Sequence, residues 1–384
     1  MIRERYYSSR ITVVTSGKIS GKLKMKTKLT ITTILTLSIA FAMLVPIGAV
    51  ASVHAVSGFN TPGNILITDQ FNSRVIEIDP SGNIVWTFGN GHGDTSANAI
   101  AGTNDAERVP GGLTLISGTG IPPGVTTNCK KSGCVDNRVL LVDRGDNIVW
   151  QYGQFGVTGF GPNQLNTPVQ NTYLPNGHVL ITDQGNERII EVDRSTNTIV
   201  WQYGQNGVVG SGPNQLNNPN SAELLQNGNI LIADENNNRA IEVPHTTPST
   251  IVATFTVQGT ASGVAFASRL ANGDTLLTDS NNARIVEVNT NDRVVWQYFT
   301  NTDTKSNPSP LPTRAVELAN GNILISDQFN DRVIEITNPG TTAGAIVASY
   351  GVINTPGFSP STASFLNGPY SAYVIGDYTG LTVP

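Results

Sequence analysis

Short runs of apolar, mostly β-branched residues alternate with turn residues along almost the whole chain after residue 55. The first unit reads Gly63–Asp69, then Arg74–Asp79, then Gly82–Trp86, and Gly, Asn or Asp residues bound each run. Val, Ile and Thr favour strands, whereas Gly and Asn accept the positive φ angles of tight turns. No helical periodicity of apolar positions is visible in this region. The pattern therefore predicts an all-β structure.

The same unit recurs five more times, and the second copy is degenerate. In four copies an Asn-Gly pair separates two apolar runs, and this pair is the favoured two-residue hairpin turn. A unit of four antiparallel strands that repeats every ~45–60 residues is typical of a propeller blade. We therefore predict a six-bladed β-propeller of four-stranded blades. The pairs are Asn176-Gly177, Asn227-Gly228, Asn272-Gly273 and Asn320-Gly321.

The two ends of the repeat region complement each other. The first copy lacks the inner strand that should precede Gly63. The segment Leu366–Ala372 supplies an inner strand that belongs to no other copy, because it matches Leu216–Ala222 at the start of a regular copy. We predict that Ser371–Ile375 completes the first blade, which removes sheet edges that would otherwise pair with another chain. Residues 56–384 then form a single propeller domain.

One stretch carries a family resemblance. Leu216–Pro219, Asn227–Asp234, Asn237 and Arg239 follow one another in an order that resembles the NHL repeat. The resemblance covers essentially everything after residue 55 and implies a propeller. It implies no single function, because this family includes targeting domains of ligases, lyases, RNA-binding proteins and plain scaffolds.

The first 55 residues differ from the rest in charge and composition. They carry a net charge of +7 against −12 for the remainder, and four lysines at positions 22–28 precede the apolar run Leu29–Val50. A basic stretch, an apolar stretch and small residues at its end are typical of a secretory signal. We interpret 1–55 as a signal sequence, with Met25 as an alternative start, and expect an exported, secreted or cell-surface protein. The alternative is a retained membrane anchor, since the apolar run approaches spanning length.

Cys129 and Cys134 are the only cysteines of the chain. Paired thiols outside the cytosol usually form a disulfide, so we predict one that closes a small loop. A metal site is the alternative, but two thiols without a nearby His make a poor zinc shell.

Five of the six copies share an Asp that is followed by Asn and Arg at fixed offsets. A metal or acid–base site needs unlike groups that converge, whereas these residues recur identically. We interpret them as structural, with Asp and Asn capping the turn after the second strand and Arg bridging neighbouring blades. The degenerate copy has Gly133 where the Asp should stand. The motif residues are Asp69, Asn72, Arg74, Asp183, Asn186, Arg188, Asp234, Asn237, Arg239, Asp279, Asn282, Arg284, Asp327, Asn330 and Arg332.

Four tryptophans, at positions 86, 150, 201 and 296, occupy equivalent places in the outer strands. Ligand stacking is one interpretation of this pattern. We favour packing between blades, because each ring buries on the order of 200 Å².

Strand direction alternates within a blade, so its connections fall on two faces. With strands a to d counted from the centre, the b–c connections and the linkers between blades share one face, which we call the linker face. His92 falls on the linker face, whereas His178 and His245 fall on the opposite face, so the three are not expected to bind one ion. Loops on a rigid scaffold carry most binding sites, so we place a candidate site on the linker face. Its irregular segments, Asn90–Pro110 and Cys129–Cys134, are the first places to examine.

These observations lead to two hypotheses from different classes. The leading one is a monomeric scaffold, without a cofactor, that binds a protein, peptide or glycan through the linker face. The alternative is an enzyme, resembling metal-dependent lactonases or lyases of this fold, with a divalent metal held by carboxylates and amides at the channel mouth. No catalytic residue is assigned. The acidic body argues against nucleic-acid binding, and membrane contact is expected only through an uncleaved leader.

Overall fold

The computed structural model describes residues 58–89, 99–125, 129, 133–257, 263–337 and 344–384. The predicted signal sequence and His92 lie outside the described residues. Within the described ranges, the helices are short 3₁₀ turns, and none has the length and apolar character that crossing a membrane requires.

Six four-stranded antiparallel sheets form the blades of the propeller, as predicted. Blades 2 to 6 follow the chain order, whereas the first blade takes its inner strand from the end of the chain. Blade 1 contains β1 (Ile65–Asp69), β2 (Arg74–Ile78), β3 (Ile84–Phe88) and β24 (Pro369–Val374), and blade 2 contains β4 (Thr103–Val109), β5 (Leu113–Ile121), β6 (Cys134–Val142) and β7 (Ile148–Gly153). Blade 3 contains β8 (Pro168–Tyr173), β9 (Val179–Asp183), β10 (Arg188–Asp193) and β11 (Thr198–Gly204), and blade 4 contains β12 (Pro219–Leu224), β13 (Asn229–Asp234), β14 (Arg239–Pro244) and β15 (Ala253–Thr256). Blade 5 contains β16 (Val264–Arg269), β17 (Thr275–Asp279), β18 (Arg284–Val288) and β19 (Val294–Phe299), and blade 6 contains β20 (Pro312–Glu317), β21 (Ile323–Asp327), β22 (Arg332–Ile336) and β23 (Ile346–Tyr350).

Strand β24 closes the ring, which confirms the predicted closure. It pairs antiparallel with β1, so that Ile65 lies opposite Val374 and Ile67 lies opposite Ala372. The backbone of Ile375 extends the pairing, with hydrogen bonds to Gly63 and Asn64 of 3.0 and 2.8 Å. The chain end thus provides blade 1 with the strand that its own repeat lacks.

Six clusters of the apolar core each fill one interface between neighbouring blades. The interface of blades 3 and 4 is representative, with Leu180 and Ile189 from blade 3 packed against Ile230 and Ile232 from blade 4. A single blade leaves both sheet faces apolar, so it buries them only against a blade on each side. The closed ring follows from this requirement.

The tryptophan positions are equivalent in the structure. Trp86, Trp201 and Trp296 each lie opposite a Glu of the neighbouring c strand. The Trp201 ring contacts His245 of blade 4 at a centroid distance of 5.2 Å. Trp150 of blade 2 donates a 2.7 Å hydrogen bond to Asn197 of blade 3. These contacts support packing between blades.

The repeated Asp is a buried hub that ties a linker to the b–c turn. Asp183 accepts hydrogen bonds from the Asn166 backbone N–H of the preceding linker and from the side chains of Asn186 and Arg188, at 2.7, 2.8 and 2.7 Å. Burial raises the pKa of Asp183, and the charge of Arg188 opposes this effect. The carboxylate makes no cap hydrogen bond to the turn that follows and contacts this turn through the Asn186 side chain.

Blade 2 lacks the repeat Asp. The residue in its place is Gly118, not Gly133 as predicted. In the regular blades the Asp lies opposite the Arg, and in blade 2 Gly118 lies opposite Arg138. A Cβ on Gly118 would lie 2.8 Å from Cγ of Asp136. The Asp136 carboxylate thus occupies the vacated space, where it pairs with Arg138 at 2.5 Å. Because the b–c connection of this blade is longer than in the regular blades, the pairing of Gly118 with Arg138 could not be aligned from the sequence.

Candidate functional site

Each regular blade places a three-residue 3₁₀ turn on the linker face, directly after its repeat Asp. The turn ends at a residue in the left-handed region, for example Ser73 with φ of 50°. The first turn residue differs between blades, and several of these side chains reach residues of the inner strands. The turns are η1 (Gln70–Asn72), η2 (Gln184–Asn186), η3 (Glu235–Asn237), η4 (Ser280–Asn282) and η5 (Gln328–Asn330).

Three amide side chains from three blades form a hydrogen-bonded chain at this mouth of the channel. Gln328 of blade 6 donates to Gln70 of blade 1 at 2.6 Å, and Gln70 donates to Asn104 of blade 2 at 2.8 Å. All three side chains are buried. These three residues were not predicted as site residues from the sequence, although they follow the repeat Asp or begin an inner strand.

In the other half of the mouth, the carboxylate of Glu235 connects side chains of blades 3 and 4. Glu235 accepts hydrogen bonds from Asn220, Asn218 and Gln184 at 2.8, 3.0 and 3.5 Å. Burial raises the pKa of Glu235, and the hydrogen bonds from Asn220 and Asn218 oppose this effect. Asn220 also exchanges hydrogen bonds of 3.0 and 3.1 Å with the hydroxyl of Tyr370. We call this set the mouth girdle; its members are Gln70, Asn104, Gln184, Asn218, Asn220, Glu235, Gln328 and Tyr370.

The second residue of the turn makes the linker face asymmetric. It is Phe71 in blade 1 and Phe329 in blade 6, and these rings stack with centroids 6.1 Å apart and planes 16° apart. The equivalent residues in blades 3, 4 and 5 are Gly185, Asn236 and Asn281. An aromatic sector therefore adjoins one half of the girdle.

The disulfide lies beside this aromatic sector. Cys129 and Cys134 form the predicted disulfide. They pack with Ala101 and Ile121, and Phe71 borders the same cluster. The disulfide of blade 2 thus supports the sector, whereas residues 130–132 of its loop and residues 90–98 of the first linker lie outside the described residues.

Unlike polar groups converge deeper in the channel. Asp105 of blade 2 pairs with Arg314 of blade 6 at 2.8 Å and accepts the Asn171 backbone N–H of blade 3 at 3.2 Å. Glu107 and Glu223 line the same cavity, which has room for a water-sized occupant. In the described part of the chain, no three His, Cys, Asp or Glu side chains are grouped closely enough to hold a metal ion.

Glu107 lines this cavity beside Asp105 and Glu223 and forms no ion pair with a Lys or Arg within the described ranges. Burial raises its pKa well above the usual range; the backbone N–H of Tyr173 opposes this, and the charges of Glu223 and Asp105 reinforce it. Asn171 faces the same cavity, and neither atom of its side-chain amide has a hydrogen-bond partner among the described residues. The channel therefore holds a buried carboxyl group with a raised pKa beside an unsatisfied amide.

Two histidines meet on the opposite face. His178 Nδ1 lies 2.6 Å from one carboxylate oxygen of Glu191, and His245 Nε2 lies 2.6 Å from the other. Burial raises the pKa of Glu191, but hydrogen bonds from His178, Asn176 and His245 outweigh burial and lower it. His178 and His245 thus share one carboxylate across blades 3 and 4, a contact that was not predicted from the sequence.

Comparison with known proteins shows the fold and leaves the family open. No family model matches the chain, and no curated protein matches its sequence. A protein of unknown function from Bacteroides caccae has a TM-score of 0.51 and 15% identity over 74% of this chain and 94% of its own. Virginiamycin B lyase from Staphylococcus aureus has a TM-score of 0.44 and 14% identity over 66% and 71%. The WD40 propeller domain of Doa1 has a TM-score of 0.45 and 12% identity over 74% and 83%. At such identities the likeness concerns the fold alone.

Proposed function

We propose that this chain is an exported NHL-type propeller that binds a protein, peptide or glycan ligand through its linker face. The observation that carries this proposal is the mouth girdle, in which side chains from five blades form two polar half-rings. Amide groups both donate and accept hydrogen bonds, so they match the peptide groups of a protein or the hydroxyls of a sugar. A disulfide is typical of oxidising compartments, which supports export.

The asymmetry of the linker face supports a single binding orientation. Phe71 and Phe329 offer apolar contacts on one side of the girdle, and Gln184 and Glu235 offer polar contacts on the other. Aromatic rings beside a few polar groups are typical of binding sites. If the turn residues were identical in all blades, the linker face would offer a ligand the same contacts at every blade.

A binding screen with matched variants tests the proposal. The probes are arrays of neutral oligosaccharides and of short peptides, followed by titration calorimetry of any hit. Phe329→Ala and Gln184→Ala should each weaken binding at least about tenfold, since each removes a contact that excludes water or orients the ligand. Asn291→Ala, in an exposed c–d connection on the opposite face, is the control. A ligand whose affinity follows the control variant rather than the girdle variants would contradict the proposal.

A second candidate function is hydrolysis or elimination in the channel by a metal-dependent enzyme. Asp105, Glu107, Asn171 and Glu223 from three blades line one cavity, which supports this candidate, although the carboxyl groups among them are not grouped closely enough to hold a metal ion in this structure. Metal analysis of the purified protein and hydrolysis assays with simple lactones test this candidate. Retained divalent metal that is lost in Glu107→Gln would support the enzyme, and metal-free protein without hydrolysis would remove it.

A further inference from the structure

The mouth opposite the linker face is crossed by the chain segment that follows β24. Asp377 accepts the Ala319 backbone N–H of blade 6 at 2.7 Å. The hydroxyl of Tyr378 donates to the carbonyl of Arg108 in blade 2 at 3.3 Å. We call residues 377–382 the mouth segment, because they span contacts from blade to blade over the channel.

A buried carboxylate binds the far end of the mouth segment. Both the backbone N–H and the hydroxyl of Thr382 donate to one oxygen of Glu223, at 2.9 and 2.6 Å, while Gln170 donates to the other oxygen at 2.6 Å. The same hydroxyl accepts the Leu224 backbone N–H at 2.9 Å. Glu223 and Thr382 are only 2% and 3% exposed. Two polar groups of this mouth, one Glu223 oxygen and the Leu224 N–H, are therefore satisfied by one residue of the segment.

The residues before Thr382 fit the mouth by shape. Gly380 has φ of 71°, and a Cβ there would lie 3.0 Å from the carbonyl oxygen of Arg269. Leu381 packs against two apolar clusters, those between blades 6 and 1 and between blades 1 and 2. The contacts of this mouth therefore favour a glycine, an apolar residue and a hydroxyl residue in succession.

An empty mouth would be costly for the protein. Without Thr382, one Glu223 oxygen and the Leu224 N–H would lose these partners in the cavity that Glu107 also lines. Buried polar groups without partners are unfavourable, so an occupant of matching chemistry is favoured over solvent alone.

We propose that this mouth is a peptide-binding site that recognises the pattern Tyr-x-Gly-Leu-Thr, and that the mouth segment is its occupant in cis. A peptide with the same pattern, from another chain, binds there in trans once the mouth segment leaves. This site lies on the face opposite the girdle and does not depend on the function proposed for the linker face.

A variant of the full chain tests the proposal. Gly380→Val should displace the mouth segment, because it combines the clash with Arg269 and an unfavourable φ. A fluorescein-labelled peptide of residues 377–384, with the native glycine, is then titrated and followed by anisotropy. We expect saturable binding to this variant and none to the unchanged chain. Gly228→Val is the matched control, since Gly228 has φ of 81° and nothing within 4 Å, and it should not bind the peptide.

Two further measurements examine the recognition itself. A peptide with Thr382→Val should bind the Gly380→Val chain at least about tenfold more weakly, because hydrogen bonds to a charged group are lost. The chain shortened by residues 377–384 should bind the native peptide as the Gly380→Val chain does. Absence of peptide binding to both folded chains, or equal binding to the unchanged chain, would overturn the proposal. Should the shortened chain fail to fold, the Gly380→Val chain decides alone.

Discussion

The two mouths of the channel are built from the same six inner strands but differ in what lies across them. At the linker face, polar side chains of the turns and inner strands form a girdle, and Gln184 and Glu235 remain partly exposed. At the other face, the mouth segment occupies the opening, and its Thr382 is 3% exposed. The repeat therefore builds one mouth, whereas a segment without a repeated counterpart closes the other.

This difference shows where specificity arises in a repeated scaffold. The position after the repeat Asp has the same backbone in each regular blade but holds Gln, Gln, Glu, Ser and Gln. Variation at a fixed position leaves the fold intact and changes the chemistry of the mouth. The hub residues beside it cannot vary in this way, because Asp183 is buried with three partners.

The largest effect is expected from removal of the closing strand together with the mouth segment. Deletion of residues 366–384 removes β24, which leaves β1 with an open edge and blade 1 without its inner strand. We expect loss of cooperative thermal unfolding, measured by circular dichroism. Deletion of residues 377–384 alone is the control and should retain a cooperative transition. If the longer deletion melts like the intact protein, the account of ring closure is wrong.

The next largest effect concerns the buried ion pair inside the channel. Arg314→Met leaves Asp105 buried without its cation, which should lower the free energy of unfolding by about 3–5 kcal/mol. Urea unfolding measures the change. Arg293→Met, at an exposed position, is the control and should stay within about 0.5 kcal/mol of the unchanged protein. Equal stability of the two variants would show that the pair does not hold the channel together.

A smaller effect is expected at the girdle. Gln70→Leu removes both hydrogen bonds of the central amide and leaves Gln328 and Asn104 without these partners. We expect a loss of about 1–3 kcal/mol in urea unfolding. Gln154→Leu, at an exposed linker position, is the control and should change little. An unchanged stability for Gln70→Leu would mean that the amide chain is not formed in solution.

The smallest effect is a change in pH dependence. Burial raises the pKa of Asp331 from 3.8 to about 6; the Gly368 backbone N–H opposes this, and the charge of Asp69 reinforces it. The folded state thus binds the proton more tightly than the unfolded state, so this group's contribution is present below pH 3.8 and is lost as pH rises through about 6.

Asp331→Asn should therefore raise the melting temperature at pH 7.5 and leave it nearly unchanged at pH 4. Asp292→Asn is the matched control, since Asp292 has a similar φ of 57° and is exposed. A gain for Asp331→Asn that is the same at both pH values would contradict the burial of this carboxylate.

The fold was predictable because the information for each blade is local. The Asn-Gly turns and apolar runs specify strands within ~50 residues, and the match between Leu366–Ala372 and Leu216–Ala222 reveals the closing strand. The assignment of Gly133 failed because the insertion in blade 2 hides that Gly118 lies opposite Arg138.

The sites were less predictable, because they depend on contacts between distant parts of the chain. Gln328 and Gln70 are 258 positions apart, and Thr382 and Glu223 are 159 positions apart. Each of these residues also resembles an ordinary turn or terminal residue by itself. The convergence of His178 and His245 on Glu191 was hidden for the same reason, since they belong to different blades.

Reactivity of single cysteines at the two mouths tests the central difference most directly. Gln184→Cys marks the girdle, and Ser268→Cys marks the channel wall beneath Gly380, where the serine is fully buried. With the native disulfide intact, the account predicts fast labelling of Gln184→Cys by a small maleimide and protection of Ser268→Cys until residues 377–384 are removed. Equal labelling rates at both positions in the full-length chain would contradict it.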